Sequence, residues 1–137
     1  KAFSEVAAKY SGSDEAIISE YYLGTIAASE GKNDEAEKWL KSVVDSGNAN
    51  YASLAKLTLA QIYKAQGKLG EGEALLRSLI DKPTEFVSKE QATIELADLI
   101  ASSKPDEARK LLEPLRTERS AISRVAIAKL GELSAAQ

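Results

Sequence analysis

Apolar and small residues recur along the chain at intervals of 36 positions. In three successive units, a small residue is followed four positions later by Leu and seven positions later by another aliphatic residue. The matching columns are Ala36, Gly72 and Ala108; Leu40, Leu76 and Leu112; and Val43, Leu79 and Leu115. Because spacings of three and four place side chains on one face of an α-helix, this pattern predicts one amphipathic helix, helix B, in each unit.

A second pattern precedes each of these predicted helices. A Leu followed by a small residue recurs at Leu23-Gly24, Leu59-Ala60, Leu96-Ala97 and Leu130-Gly131. In the first three units, a further aliphatic residue follows that Leu by three positions, at Ile26, Ile62 and Leu99. This spacing predicts a helix A in each unit, so that every unit is a pair of helices joined by a short turn.

Together the two patterns predict an all-α chain. The expected helices cover residues 1–10, 14–30, 34–46, 51–66, 70–81, 87–102, 105–117 and 121–136. We therefore expect one repeat domain over 1–137, with units at about 14–50, 51–86 and 87–120 and half units at 1–12 and 121–137. Pro114 removes a backbone hydrogen bond inside the helix expected at 105–117, so we expect a kink or early fraying there.

The residues between the predicted helices suit helix ends. Ser13, Asn33 and Ser103 are residue types that cap helix N-termini, and we expect them in that role. Gly31 and Gly67 follow predicted A helices, where glycine commonly ends a helix.

The composition narrows the function classes. The net charge is -3 with 18 basic and 21 acidic residues, and a nucleic-acid-binding protein would usually carry a basic excess. Without Cys or His, the chain lacks thiolate nucleophiles and the commonest general base and metal ligand. The Asp-Glu pairs at 34–35 and 106–107 recur in register with the repeat, as helix N-terminal charges do. We expect no catalytic residue, no cofactor, no metal and no nucleic-acid partner.

The repeated units resemble tetratricopeptide repeats. Leu23-Gly24 and Leu130-Gly131 match the Leu-Gly pair of that pattern, Tyr63 matches its Tyr, and Ala36 and Ala108 match its Ala. Leu replaces the second aromatic residue of the pattern in every full unit, and the period is longer than usual. The resemblance implies a right-handed superhelix of antiparallel helix pairs, with about three full repeats flanked by half repeats. It also implies a non-catalytic protein-protein interaction scaffold that binds a protein or an extended peptide.

In tetratricopeptide arrays, helix A side chains line the concave groove. Carried onto this sequence, the resemblance gives the groove candidates Ile18, Tyr21, Thr25, Leu54, Gln61, Lys64, Gln91, Ile94 and Asp98, continued by Val125 and Glu132. This is a mixed, weakly charged groove, and the alternative is a solvated inner face without a partner. The Lys, Asn and Arg with which one subclass grips the carboxylate of chaperone tails are replaced here by Tyr21, Thr25, Thr58, Gln91 and Glu95, which disfavours that mode.

A narrower resemblance concerns residues 79–99, which look like the linker and helix of the YfgM-like family. That resemblance implies the extracytoplasmic part of a membrane-anchored bacterial protein, on the periplasmic side of the inner membrane, linked to protein export or envelope protein folding. The Sec translocon or envelope chaperones would then be partners. Residue 1 is not Met, so we expect an upstream segment to carry the anchor. A cytoplasmic location is the alternative, and so is a structural subunit that assembles through the ends of the array.

Two further features leave alternatives open. Trp39 lies beside the first helix B stripe, where it either packs between helices or anchors a partner. Residues 104–129 carry seven Lys or Arg against four Asp or Glu, with Arg116, Arg119 and Arg124 close together. This segment is either a solvated surface or a contact for an acidic partner or membrane headgroups.

Overall fold

The computed structural model describes residues 2–9, 12–117 and 121–136, and every regular element in them is a helix. The α-helices are α1 Ala2–Lys9, α2 Asp14–Ser29, α3 Asn33–Val44, α4 Ala49–Ala65, α5 Leu69–Asp81, α6 Lys89–Ile100, α7 Pro105–Leu112 and α8 Ala121–Ala136. They follow the predicted succession of B and A helices. Within the described residues, no helix is both long enough and apolar enough to cross a membrane.

The helix ends match the sequence prediction only in part. Ser13 accepts a hydrogen bond from the Ala16 N–H at 3.1 Å, as an N-cap does. The predicted caps Asn33 and Ser103 are wrong, because α3 starts at Asn33 itself and α7 follows Lys104, neither with a side-chain cap. Asn48 and Ser88 instead cap α4 and α6.

Gly31 and Gly67 end α2 and α4 as predicted. Both have φ +76, in the left-handed region that glycine enters without strain. After α2, the Lys32 N–H donates to the Ala27 carbonyl at 2.9 Å and the Gly31 N–H donates to the Ala28 carbonyl at 3.1 Å. This pair of hydrogen bonds is the Schellman motif, and it turns the chain sharply into α3.

The expected irregularity at Pro114 is a change of helix type. Helix α7 ends at Leu112, and Glu113–Thr117 continue as a 3-10 helix. Proline has no N–H to donate into an α-helical ladder, which explains the early end of α7. Leu115 is still 7% exposed, so the 3-10 turn keeps its apolar side chain in the core.

The helices stack so that each A helix contacts the next. Helices α2 and α4, α4 and α6, and α6 and α8 are in contact, in addition to the neighbours in sequence. Most residues of the predicted stripes lie in the core between them, where Leu40, Val43, Leu59, Leu76, Leu96, Ala108 and Leu112 are fully buried. Ile26 is the exception, because it is 43% exposed although the stripe of α2 predicts it in the core. This is an all-helical repeat stack in which each unit buries its apolar face against its neighbours.

The Leu-Gly pair of the first unit marks the tightest helix contact. A Cβ added at Gly24 would lie 2.7 Å from Leu40 Cγ and 2.8 Å from Leu40 Cδ2, so α3 lies directly on the Gly24 backbone. Ala36 on the facing helix is fully buried. At Gly131, the equivalent residue of α8, an added Cβ would meet nothing within 4 Å. The two glycines therefore have the same place in the repeat and opposite surroundings.

We predict opposite effects from one substitution at these two glycines. Gly24→Ala should lower the free energy of unfolding by about 1–3 kcal/mol, because the methyl group overlaps Leu40 in a packed core. Gly131→Ala should raise it by about 0.5–1 kcal/mol, because alanine is the better helix former where space is free. Urea unfolding followed by circular dichroism measures both. Equal changes in the two variants would contradict the packing described here.

Candidate protein-binding surface

Five aromatic side chains form a continuous row across the first half of the molecule. We call Phe3, Tyr22, Tyr21, Tyr51 and Phe86 the aromatic row. Successive ring centroids lie 5.3, 5.6, 5.7 and 5.4 Å apart in that order. Three of the rings are well exposed, with Phe3 at 37%, Tyr22 at 42% and Phe86 at 44%. The chain has only one Trp, five Tyr and two Phe, so most of its aromatic surface is gathered here.

The inner members of the row are held by the A helices. Tyr21 in α2 is half-buried, and its ring lies edge-on against Tyr51 of α4 with the centroids 5.7 Å apart. Burial raises the pKa of Tyr21, and the neighbouring Tyr22 and Tyr51 raise it further, against the opposing effect of Thr58. Tyr21 is therefore a neutral phenol at physiological pH, and its ring bridges α2 and α4.

Phe86 is positioned by the linker between α5 and α6. The Thr84 and Ser53 hydroxyls lie 2.7 Å apart, and the Glu85 N–H donates to Asn50 Oδ1 at 3.2 Å. Val87 on the other side of Phe86 is fully buried. These three contacts fix the backbone around Phe86, so its ring is an ordered part of the row despite its place outside a helix.

Charged and amide side chains connect the A helices in the second half of the molecule. Lys64 of α4 donates to Asp98 of α6 at 2.7 Å, and Lys129 of α8 donates to the other Asp98 oxygen at 2.9 Å. Gln61 of α4 and Glu95 of α6 lie beside this pair, and Gln61 acts to lower the pKa of Glu95. We call Gln61, Lys64, Glu95, Asp98 and Lys129 the polar row. It joins α4, α6 and α8 at the surface, as the aromatic row joins α1, α2 and α4.

The two carboxylates of the polar row have opposite pKa shifts. Burial alone would raise the pKa of Asp98, but the hydrogen bonds from Lys64 and Lys129 outweigh it, and the pKa lies below its ordinary value. Burial and the negative charge of Asp98 raise the pKa of Glu95, and Lys129 and Gln61 only partly offset this. Asp98 is therefore the charged centre of the network, whereas the environment of Glu95 disfavours its charge.

A shallow apolar pocket adjoins the polar row. Ala97, Ala101, Leu112 and Leu133 line it between α6, α7 and α8, and Lys129 stands at its edge. Its size and lining suit one aliphatic side chain of a partner. The pocket and the ion pair together offer an apolar contact beside a polar one.

The structure brings some of the predicted groove residues together and separates others. Tyr21 belongs to the aromatic row, and Gln61, Lys64 and Asp98 belong to the polar row. Ile18 is half-buried and lines a cleft with Val6 of α1. The Thr25 hydroxyl donates to the Tyr22 carbonyl of its own helix at 2.9 Å. Gln91 is exposed at the start of α6.

One predicted groove residue is misplaced, and six members of the two rows were not among the groove candidates. Ile94 is only 7% exposed and belongs to the core, so its assignment to the groove is wrong. Phe3, Tyr51 and Phe86 were missed because none of them lies on the mid-helix A positions from which the groove was counted. The others were missed because each stands one position before a residue of the Leu column; they are Tyr22, Glu95 and Lys129.

Trp39 is half-buried, with the Lys38 Nζ atom 5.6 Å from the ring centroid. Part of the side chain is exposed, so the contact between Trp39 and a partner stays a prediction.

We predict that Glu95→Gln stabilises the protein at neutral pH. A raised pKa in the folded state means that ionisation of Glu95 opposes folding as the pH rises through that pKa. The gain should be at most about 1 kcal/mol, because the side chain is partly solvated. It should disappear below about pH 4, where the carboxyl is protonated in both states. Urea unfolding at several pH values tests this, and a gain that persists at low pH would contradict it.

Comparison with known proteins identifies the repeat. The family model described as a tetratricopeptide repeat-like domain matches residues 1–110, which is most of the chain. No curated protein and no solved structure matches the chain significantly. The matched range contains the Leu-Gly pair at Gly24, the small residues Ala36 and Ala108, and the stacked A helices α2, α4 and α6. The chain therefore belongs to the tetratricopeptide repeat-like family.

Proposed function

We propose that this protein is a non-catalytic scaffold that binds an extended segment of a partner protein along its stacked A helices. The observation that carries the proposal is the aromatic row, in which five touching rings cross three helices and a linker. Aromatic and Tyr-rich surfaces are typical of binding hot spots, because each ring offers a large apolar area at a small cost in side-chain entropy. Family membership supports the same role, since tetratricopeptide-like domains generally bind proteins.

The shape of the row favours an extended partner over a globular one. Four ring-to-ring steps of 5.3 to 5.7 Å give a path of roughly 20 Å along the row, which about six extended residues can follow. The rings are neutral, so we expect binding to depend little on salt. A partner segment long enough to pass from the aromatic row to the polar row would place an aliphatic side chain in the pocket beside Lys129.

The setting in the cell is a further part of the proposal. The resemblance of residues 79–99 to the YfgM-like family supports an extracytoplasmic scaffold of a membrane-anchored bacterial protein. Its partners would be the Sec translocon or envelope chaperones and their substrates. Fractionation of cells that express the full-length protein distinguishes this location from the cytoplasmic alternative, because only a periplasmic domain is degraded by protease added to spheroplasts.

A structural role through the ends of the array is the second candidate. The exposed Val125 at 41% and Ile127 at 51% on α8 favour it, because they offer apolar surface at one end of the stack. Sedimentation of the purified protein separates the two candidates. A monomer at high concentration removes the structural role, and a concentration-dependent polymer supports it.

We predict that a photo-crosslinking residue at position 22 or 86 captures the partner in living cells. Both side chains are exposed members of the aromatic row, so a bound segment must pass within reach of them. The matched control is position 110, where Lys110 is exposed on α7, away from the row. Crosslinks at 110 but not at 22 and 86 would place the partner elsewhere and reject the proposal.

Once a partner has been captured, the contribution of the aromatic row to its binding affinity can be measured. We expect Tyr22→Ser together with Phe86→Ser to raise the Kd by at least about tenfold, as the loss of hot-spot rings does. Isothermal titration calorimetry measures the Kd, and Lys110→Ser on α7 serves as the control for loss of an exposed side chain outside the row. Circular dichroism should be unchanged in both variants, since these side chains lie at the surface.

A further inference from the structure

A second surface lies at the other end of the molecule, between α7 and α8. Its apolar part is Ile127, Leu130 and Gly131, with Ser134 beside them, and its rim carries Arg109, Arg116 and Glu113. We call these seven residues the end groove. Ile127 is 51% exposed, the highest exposure among the large apolar side chains of the described residues. The end groove is separate from the aromatic row, which ends at Phe86.

The repeat indicates the shape of what fits there. Gly131 stands in the Leu-Gly pair of α8, at the position that Gly24 has in α2. At Gly24, a helix lies so close that Leu40 covers the glycine backbone, whereas Gly131 has open space. On α8, the end groove thus leaves open the surface that α3 covers on α2. A helix that carries a Leu is the element that fills such a space.

The charge of the end groove is reversed relative to the earlier units. The residue that follows the small column is Glu37 in α3, Glu73 in α5 and Arg109 in α7. Glu37 accepts a hydrogen bond from Tyr63 of the next unit at 3.1 Å, and Glu73 accepts one from Lys104 at 3.2 Å. At the same position of the last unit, the charge is positive, so the complementary group must be an acceptor.

Arg109 has an unused donor in this groove. Its Nη2 atom is buried and has no hydrogen-bond partner among the described residues. Ser134 stands at the helix position that Tyr63 has in α4, four residues after the Leu of the pair, so a short side chain replaces a long one next to Arg109. The adjacent Glu113 lies 3.7 Å from Arg116, which leaves Arg109 as the less compensated cation of the rim.

We propose that the end groove docks an acidic amphipathic helix of a partner protein, with an aliphatic side chain seated on Gly131 and a carboxylate bonded to Arg109. Charge complementarity carries the choice of occupant, because the rim has two arginines against one glutamate in a chain of net charge -3. The open space at Gly131 corresponds to the space that Leu40 fills over Gly24, which favours a helix that carries a Leu over a membrane surface. This interaction is additional to the binding of an extended segment on the aromatic row.

A peptide from this chain serves as the probe. Residues 33–44 form a helix whose Leu40 already covers a glycine in its own unit, and the segment carries Asp34, Glu35 and Glu37. An isolated helix of this length is unstable in water, so the peptide is stapled between Lys38 and Ser42, which are both exposed in α3. The matched control peptide has the same staple and carries the neutralising substitutions Asp34→Asn, Glu35→Gln and Glu37→Gln.

The first experiment titrates both fluorescein-labelled peptides with the protein and follows fluorescence anisotropy. We expect the acidic peptide to bind more tightly than the neutral one. Arg109→Glu should raise the Kd of the acidic peptide at least about tenfold and leave that of the neutral peptide unchanged. Lys110→Glu makes the same charge change on α7 outside the groove and should change the Kd by no more than about twofold.

The second experiment uses Gly131→Leu, which separates docking from folding. The open space around Gly131 should accommodate the side chain, so the melting temperature should stay the same or rise. The Leu side chain at position 131 should also fill the space that the acidic peptide needs, and it should therefore abolish binding of that peptide. A variant that is at least as stable as the parent and no longer binds would support the docking geometry.

Several outcomes would overturn the proposal. The first is that the acidic peptide does not bind. The second is that Arg109→Glu and Lys110→Glu weaken its binding equally. The third is that Gly131→Leu binds the peptide as tightly as the parent protein does. Binding of vesicles with anionic lipid, lost in Arg109→Glu, would assign the groove to membrane headgroups instead. Dimerisation of the protein itself, abolished by Gly131→Leu, would assign it to a second copy. Crosslinking at positions 22 and 86 should persist in Arg109→Glu. A negative result for the end groove would therefore not contradict the proposed function.

Discussion

Close contact between helices at small residues is the constraint on which the rest of this structure depends. Leu40 lies on the backbone of Gly24, and Ala36 and Ala108 are fully buried where helices cross. A protein interior packs at nearly crystalline density, so such a contact admits only one relative position of the two helices. Because the small residues recur every 36 positions, each unit adopts the same arrangement, and the A helices come to lie side by side.

The surface follows from that arrangement. Tyr21 and Tyr51 are 30 residues apart in sequence, yet their rings touch because α2 and α4 are neighbours in the stack. Lys64, Asp98 and Lys129 meet for the same reason, one from each of three successive A helices. The stack thus assembles a continuous surface from residues that no single helix could bring together. At the end of the stack, Gly131 of α8 has open space around it and lies beside Arg109 in the end groove.

The sequence predicted the helices well and the side-chain contacts poorly, for physical reasons. Helix positions follow from the spacing of Leu23, Leu59 and Leu96, since burial of one face is the main force that forms a surface helix. The caps at Asn33 and Ser103 were wrong because residue type alone does not tell whether the chain has already entered the helix. Phe86 was missed because its position depends on bonds between Thr84 and Ser53 and between Glu85 and Asn50, which residue spacing does not reveal.

Native-state hydrogen exchange measures most directly whether neighbouring units stabilise one another through these contacts. In a stack held by nearest-neighbour contacts, opening free energies depend on how many neighbours a helix has. We predict the highest protection for the amides of α4 and α6, which pack between other helices, and the lowest for α1 and α8 at the ends. Equal protection of all these helices would show one indivisible cooperative core and would contradict stabilisation by nearest-neighbour contacts.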